Sequence, residues 1–282
     1  MSKDKPIDSL KNDAQNESWA KRAEHWRKVA PKGAASDDTP NQALIKFACI
    51  AAGDRVLDLA SGTGDPAMSL ALAVGDQGVV VASDANMGML NGARDRAANL
   101  GLSNLSFETA PMETLPFADA TFDAVTCRFG LMHAGDPLAG LSEARRVLKP
   151  GRKAAFMVHG PPELNTQWTV LHQCVQSYLA IEDQARFDKH YKFSGEGELA
   201  AVFSEAGFTS IEHELAVTTV THEGGASFWD ASLVRSLGSR VEGLDASEMA
   251  ALNAIISEAF APYLDNGNYA LKSSNRIASG TA

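Results

Sequence analysis

The chain has 282 residues, 45% of them hydrophobic and 21% charged, with a formal net charge of -10. This is globular composition, and enough chain to bury a full core in one large domain or one domain with an elaboration. The acidic balance argues against nucleic acid as a partner and against docking on an anionic membrane.

Apolar stretches are short and interrupted, as by Lys46 between Ile45 and Phe47, so no membrane span is expected. Lys3, Asp4, Lys5 and Asp8 stand where a secretory signal would be apolar. Cys49, Cys127 and Cys174 lie far apart without a Cys-x-x-Cys pair, which gives neither a zinc pattern nor a disulfide framework. The expectation is a cytoplasmic protein with no metal.

In chain order, residues 1–38 read as a polar tail and a cap helix near 16–30 carrying Trp19 and Trp26. A loop over 31–40 leads to a helix over 41–51. Strands are predicted at 55–60, 78–84, 105–108, 122–127 and 153–158. Helices are predicted at 66–74, 87–100 and 137–148, the second ended by Gly101 and the third by Lys149-Pro150-Gly151. Strand and helix alternating at this spacing mean parallel βαβ units with helices on both faces. The rhythm then changes. Residues 163–190 read as helix rich in Trp168, Tyr178 and Phe187, and 194–206 as another. A strand follows over 209–220, then helices over 226–240 and 245–261, then a strand over 269–278. Asp245 and Glu248 form a possible capping box. The division expected is 39–160 as a ligand-binding core, 161–193 as a helical lid and 194–282 as completion of the sheet with a helical insertion.

The segment Val56-Leu-Asp-Leu-Ala-Ser-Gly-Thr-Gly-Asp-Pro66 carries the chemistry. A strand runs into a turn whose glycines let a ligand approach the backbone, and a helix opens after it. Asp65 reads as its N-cap and Pro66 as its first residue. Such a helix N-terminus at the carboxyl end of the first strand is where open α/β sheets bind nucleotides. Asp84 closes the second strand, where a carboxylate can take both hydroxyls of a ribose. Gly62 to Ala67 also fits G-x-G-x-x-A, the dinucleotide pattern. Asp58 weighs against a pyrophosphate there and suits the ammonium of an amino-acid-bearing cofactor.

With Val81-Ala-Ser-Asp84, Met112-Glu-Thr-Leu-Pro-Phe117, the segment Phe122 to His133 and Glu143-Ala-Arg-Arg-Val-Leu-Lys-Pro-Gly151 added, the sequence resembles the class I S-adenosylmethionine (SAM)-dependent methyltransferases. It is most similar to the ubiquinone/menaquinone-biosynthesis C-methyltransferase type, across about 54–159. The resemblance implies a Rossmann-like, seven-stranded, mostly parallel sheet with helices on both faces and a helical lid. It also implies SAM as cofactor. Ala60, Ser61, Gly62, Thr63 and Gly64 would hold the methionine part, and Asp84, Ala85 and Asn86 the ribose. Pro111 and Met112 would border the adenine. The family often has a polar residue where Pro111 stands, so Glu113 is the replacement partner for the adenine amino group. Cys127 and Arg128 would lie where the methionine end meets the substrate cleft.

The implied reaction is in-line displacement onto a small, apolar or aromatic methyl acceptor. A base is needed only if the acceptor atom carries a proton. His133 is the first candidate, although the quinone-type enzymes have asparagine there; His159 is the second, and Tyr191 and His190 are weaker. Each has a plainer reading: His133 as a rim or capping residue, Cys127 as an apolar filler, Trp168 and Phe187 as core. Trp19 and Trp26 either pack as core or cover the cofactor. Two rivals remain at this stage, a SAM-binding protein with other chemistry or a regulatory role, and an NAD-dependent oxidoreductase. The acceptor atom and a homodimer are left open.

Overall fold

The computed structural model describes Trp19, residues 23–28, Ala30, and residues 38–224 and 227–282. Trp19 and residues 23–28 are helical, inside the expected cap helix; the remainder of the expected tail and loop lies outside the described residues. The regular elements are α1 (Thr39–Phe47), β1 (Arg55–Leu59), α2 (Ala67–Val74), β2 (Val79–Asp84), α3 (Met87–Asn99), β3 (Leu105–Thr109), β4 (Phe122–Arg128), α4 (Pro137–Val147) and β5 (Leu148–His159). They continue with α5 (Thr166–Tyr178), α6 (Gln184–His190), α7 (Glu198–Glu205), β6 (Thr209–Glu223), α8 (Asp230–Val241), α9 (Ala246–Phe260), β7 (Leu264–Asp265) and β8 (Asn268–Thr281).

The strands form one sheet in the order β3-β2-β1-β4-β5-β8-β6, with β7 paired to β8. The pairs among β1 to β5 are parallel, with Leu57 opposite Val81 on one side and Val125 on the other. β1 therefore has β2 on one flank and β4 on the other. The chain runs outward through β2 and β3, then returns across β1 to lay down β4. That reversal is a topological switch point, and it leaves a crevice at the carboxyl ends of β1 and β4.

The chain divides into two compact units. The first comprises Met1–Val158, Glu196–Glu214 and Arg276–Ala282. Its core joins Leu44, Val56, Leu70, Val74, Val80, Ala124, Ala155 and Ile277, all at most 2% exposed. β1 and β4 are buried along nearly their whole length, on both faces, so they read as runs rather than as alternations. The second unit comprises His159–Gly195 and Leu215–Asn275. It packs α5, α8 and α9 around Leu171, Trp229, Leu233, Leu252, Ile256 and Phe260. The capping box of α9 is present: Asp245 accepts from the Ser247 and Glu248 N–H groups, and Glu248 accepts from the Asp245 N–H.

The structure corrects several predicted elements. The single helix expected over 163–190 is a 3-10 turn (Pro162–Leu164), then α5, then α6. The break falls where Ala180 adopts a φ of 50°, which no helix continues through. Asp65 is not the N-cap of α2. The Asp65-Pro66 peptide is cis, Pro66 takes the cap position, and α2 begins at Ala67 without a side-chain cap. The Asp65 carboxylate instead meets Arg96 of α3 at 3.2 Å. β6 and β8 run longer than expected, to Glu223 and to Thr281; much of β6 is exposed and lacks the alternation that marks a half-buried strand.

Candidate active site

The turn after β1 is held from beneath and from the side. Asp58, fully buried in β1, accepts from the Ser61 hydroxyl and, at 2.8 Å, from Thr126 of β4. The Ser61 N–H donates to Ser83 of β2 at 2.9 Å, and the Gly64 N–H to Ser61 at 2.8 Å. Burial pushes the Asp58 carboxyl up to about 7, against the two hydroxyl bonds that favour its charged form.

Asp84 ties the turn to β2. One carboxylate oxygen accepts from the Gly62 N–H at 2.9 Å, the other from the Asn86 N–H at 2.8 Å. Burial raises its pKa, opposed by those bonds. Asn86 caps α3 through the Met89 N–H, and Ala85 between them is exposed.

The backbone is strained where the crevice lies. Ala60 and Phe129, just past the carboxyl ends of β1 and β4, take φ of 51° and 57°. Such conformations in non-glycine residues cluster at ligand sites. Gly64 takes a φ of 99°, which residues with a side chain rarely adopt, and the flexible end of Met68 lies against it. Gly130 is closed by packing, since an added Cβ would run into Ala60 and lie 2.7 Å from the Cys127 sulfur. Gly130→Ala is therefore expected to cost about 1–3 kcal/mol of stability by urea unfolding; an unchanged midpoint would show that the turn can yield.

Around this centre stand the other predicted residues. Met112 is buried under Gly140, and Pro111 beside it is exposed. Glu113 has one carboxylate oxygen bound by the Gly135 and Asp136 N–H groups at 2.8 and 3.3 Å, so its first task is holding the loop before α4. Thr63 is buried, and its methyl lies beside Gly92 of α3. The Cys127 thiol is fully buried, which raises its pKa, and nearby Asp58 adds to the shift. Only its main chain can face a ligand. Arg128 is partly buried and donates to Asn41 of α1 at 2.7 Å. His133 closes the 3-10 turn Leu131–His133, and the Trp19 ring meets its imidazole edge-on at 5.3 Å. Of the two readings for Trp19, this contact favours a place beside the site.

Three candidate bases belong to the second unit. His159 stacks on His190 at 4.1 Å, and His190 on Trp168 at 3.7 Å. Tyr191 is 7% exposed and its hydroxyl is bonded to Thr169 at 2.9 Å. Burial pushes that phenol up to about 12, against the bond to Thr169. Among the described residues no cluster of His, Cys, Asp and Glu is arranged to hold a metal ion.

Sequence reasoning did not find Asn41. It is fully buried and bridges Arg128 to Ser69 of α2, where its amide donates at 2.9 Å. A polar residue inside an otherwise amphipathic helix was the available signal.

Solved structures place this architecture among the Rossmann-like methyltransferase folds. A SAM-dependent methyltransferase from Aquifex aeolicus is 23% identical with a TM-score of 0.51, over 71% of this chain and 92% of that one. Phosphoethanolamine N-methyltransferase 2 of Haemonchus contortus, in complex with S-adenosyl-L-methionine, is 16% identical with a TM-score of 0.54, over 86% of this chain and 52% of that one.

The family model described as the ubiE/COQ5 methyltransferase family matches residues 38–225, and the chain belongs to that family. A ubiquinone/menaquinone biosynthesis C-methyltransferase of Xanthomonas campestris pv. campestris is 45% identical over 184 residues, 61% of this chain and 72% of the relative. The corresponding protein of Xanthomonas oryzae pv. oryzae is 46% identical over 126 residues, 44% of this chain and 49% of the relative. The chain thus spans about half the length of some curated relatives it matches.

Proposed function

We propose that the protein is a SAM-dependent methyltransferase that alkylates a small, apolar or aromatic acceptor by in-line displacement. The observation that carries this reading is the pair of backbone bonds from Gly62 and Asn86 to Asp84, at a switch point where Gly64 holds a φ of 99° that side chains rarely adopt. That cradle fits a nucleoside bearing an amino acid. Ala60 to Gly64 would meet the methionine part, with Cys127 offering main chain only. Asp84, Ala85 and Asn86 would receive the ribose, and Pro111, Met112 and Glu113 the base. When bound, the cofactor supplies a methyl group already activated on a sulfonium.

The chain's own residues then have three tasks. The strained turns at Ala60 and Phe129 fix where the donor and the acceptor meet, and such positioning is worth roughly 7–11 kcal/mol of barrier. Asp58, beneath the loop, is a carboxyl whose ionised form a nearby ammonium would favour. His133 is the candidate to take a proton from the acceptor atom, with His159 as the alternative. The curated relatives are named for ubiquinone and menaquinone biosynthesis, which supports a quinone-like or phenolic acceptor. We place the protein in the cytoplasm; among the described residues no helix is long and apolar enough to cross a membrane.

Incubation with methyl-labelled SAM and a metabolite extract tests the reading. Label is expected in a small organic product, with S-adenosylhomocysteine released in equal amount. Tight SAM binding with no transfer to any fraction would overturn the enzyme assignment in favour of a binding role.

A further inference from the structure

Resting on the reading that the crevice takes SAM, we propose that Arg128 binds the carboxylate of its methionine moiety, and that Asn41 is the residue that positions Arg128 for it. Arg128 is the last residue of β4, and Cys127 before it pairs with Leu59 of β1. Side chains alternate along a strand, so Arg128 shares a face with Thr126. Thr126 bonds Asp58, which also bonds Ser61 of the ligand turn. The guanidinium is thus placed one step beyond the polar trio that anchors the turn.

Its surroundings leave it incomplete. One amine donates to Asn41 at 2.7 Å and stands 3.6 Å from Asp38. Its Nε is buried without a hydrogen-bond partner, while 16% of the side chain stays exposed. A partly buried cation with a donor unspent is suited to an anion, and a carboxylate matches the planar fork.

The charge pattern of the turn favours the same ligand group. Asp58 suits the ammonium of an amino acid, and the carboxylates of Asp58 and Asp84 disfavour a ligand carboxylate beside them. Arg96 is already engaged by Asp65 and by the Thr63 carbonyl oxygen. Asn41 fixes where the compensating charge sits, because its amide is itself locked by Ser69 of α2, the helix that opens after the ligand turn.

The test compares SAM with decarboxylated SAM, which lacks only the carboxylate, by equilibrium titration. Wild type is expected to prefer SAM. Arg128→Gln should weaken SAM on the order of 10- to 100-fold and leave the decarboxylated ligand within about 2-fold. Asn41→Ala should weaken SAM alone, by a smaller factor of about 3–10. Circular dichroism checks folding; should the Gln variant not fold, Arg128→Lys keeps the charge and is expected to lose a few-fold on SAM only. Equal losses on both ligands, or none, would overturn the proposal while leaving SAM as the ligand. Wild type that binds neither compound would instead remove the reading on which the proposal rests.

Discussion

Asp84→Ala is expected to lower SAM affinity by about 1–3 kcal/mol, a loss of roughly 5- to 150-fold measured by calorimetric titration. Two effects combine. The carboxylate is the acceptor proposed for the ribose hydroxyls, and it also holds the Gly62 and Asn86 N–H groups that shape the turn and open α3. Its removal leaves those donors without their carboxylate and the sugar without a partner. Asp84→Asn separates the contributions, since its amide oxygen can keep one backbone bond while the charge is lost. Affinity unchanged in Asp84→Ala would remove Asp84 from the site.

The second large effect is on stability, and it depends on pH. The Asp58 carboxyl titrates near 7 in the folded cofactor-free protein and near 3.8 when unfolded. A raised folded pKa means that the protonated form is the one the fold favours. Stability from this group is present below about pH 4 and is lost as pH rises through 7. The shift of about three units corresponds to about 4 kcal/mol. Groups such as Glu143, whose pKa is lowered by its bond to Arg146, act in the opposite direction, so wild type alone does not isolate the effect. The measurable quantity is the difference between Asp58→Asn and wild type in urea unfolding. It should move in favour of the variant by about 4 kcal/mol between pH 4 and pH 8. A difference flat across that range would show that Asp58 is charged in the fold at all these pH values.

The parts of this protein legible in its sequence are those written in short stretches. β1, the turn to Gly64 and the closing acid of β2 lie within thirty consecutive residues, Arg55 to Asp84, and their roles follow from local rules of strand, glycine and helix start. The five parallel strands were legible for the same reason, since each is a short run or alternation of apolar residues between turn signals. The part-buried bridge from Arg128 to Asn41 was not, because it joins residues 87 apart, and nothing in the sequence around Asn41 names its partner. The cap of α2 misled for a related reason. Asp65 has the composition of an N-cap, and what moves it elsewhere is Arg96, 31 residues on. The break at Ala180 left no mark, since neither proline nor glycine sits there. The burial of Tyr191 and its bond to Thr169 are properties of packing, which its residue type does not show.

The most direct measurement is equilibrium binding of SAM, S-adenosylhomocysteine and NAD to the purified full chain by calorimetry. We predict one-to-one binding of both sulfur nucleosides and no heat from NAD. Saturable binding of NAD, with neither sulfur nucleoside bound, would contradict the placement of a sulfonium nucleoside at the carboxyl ends of β1 and β4.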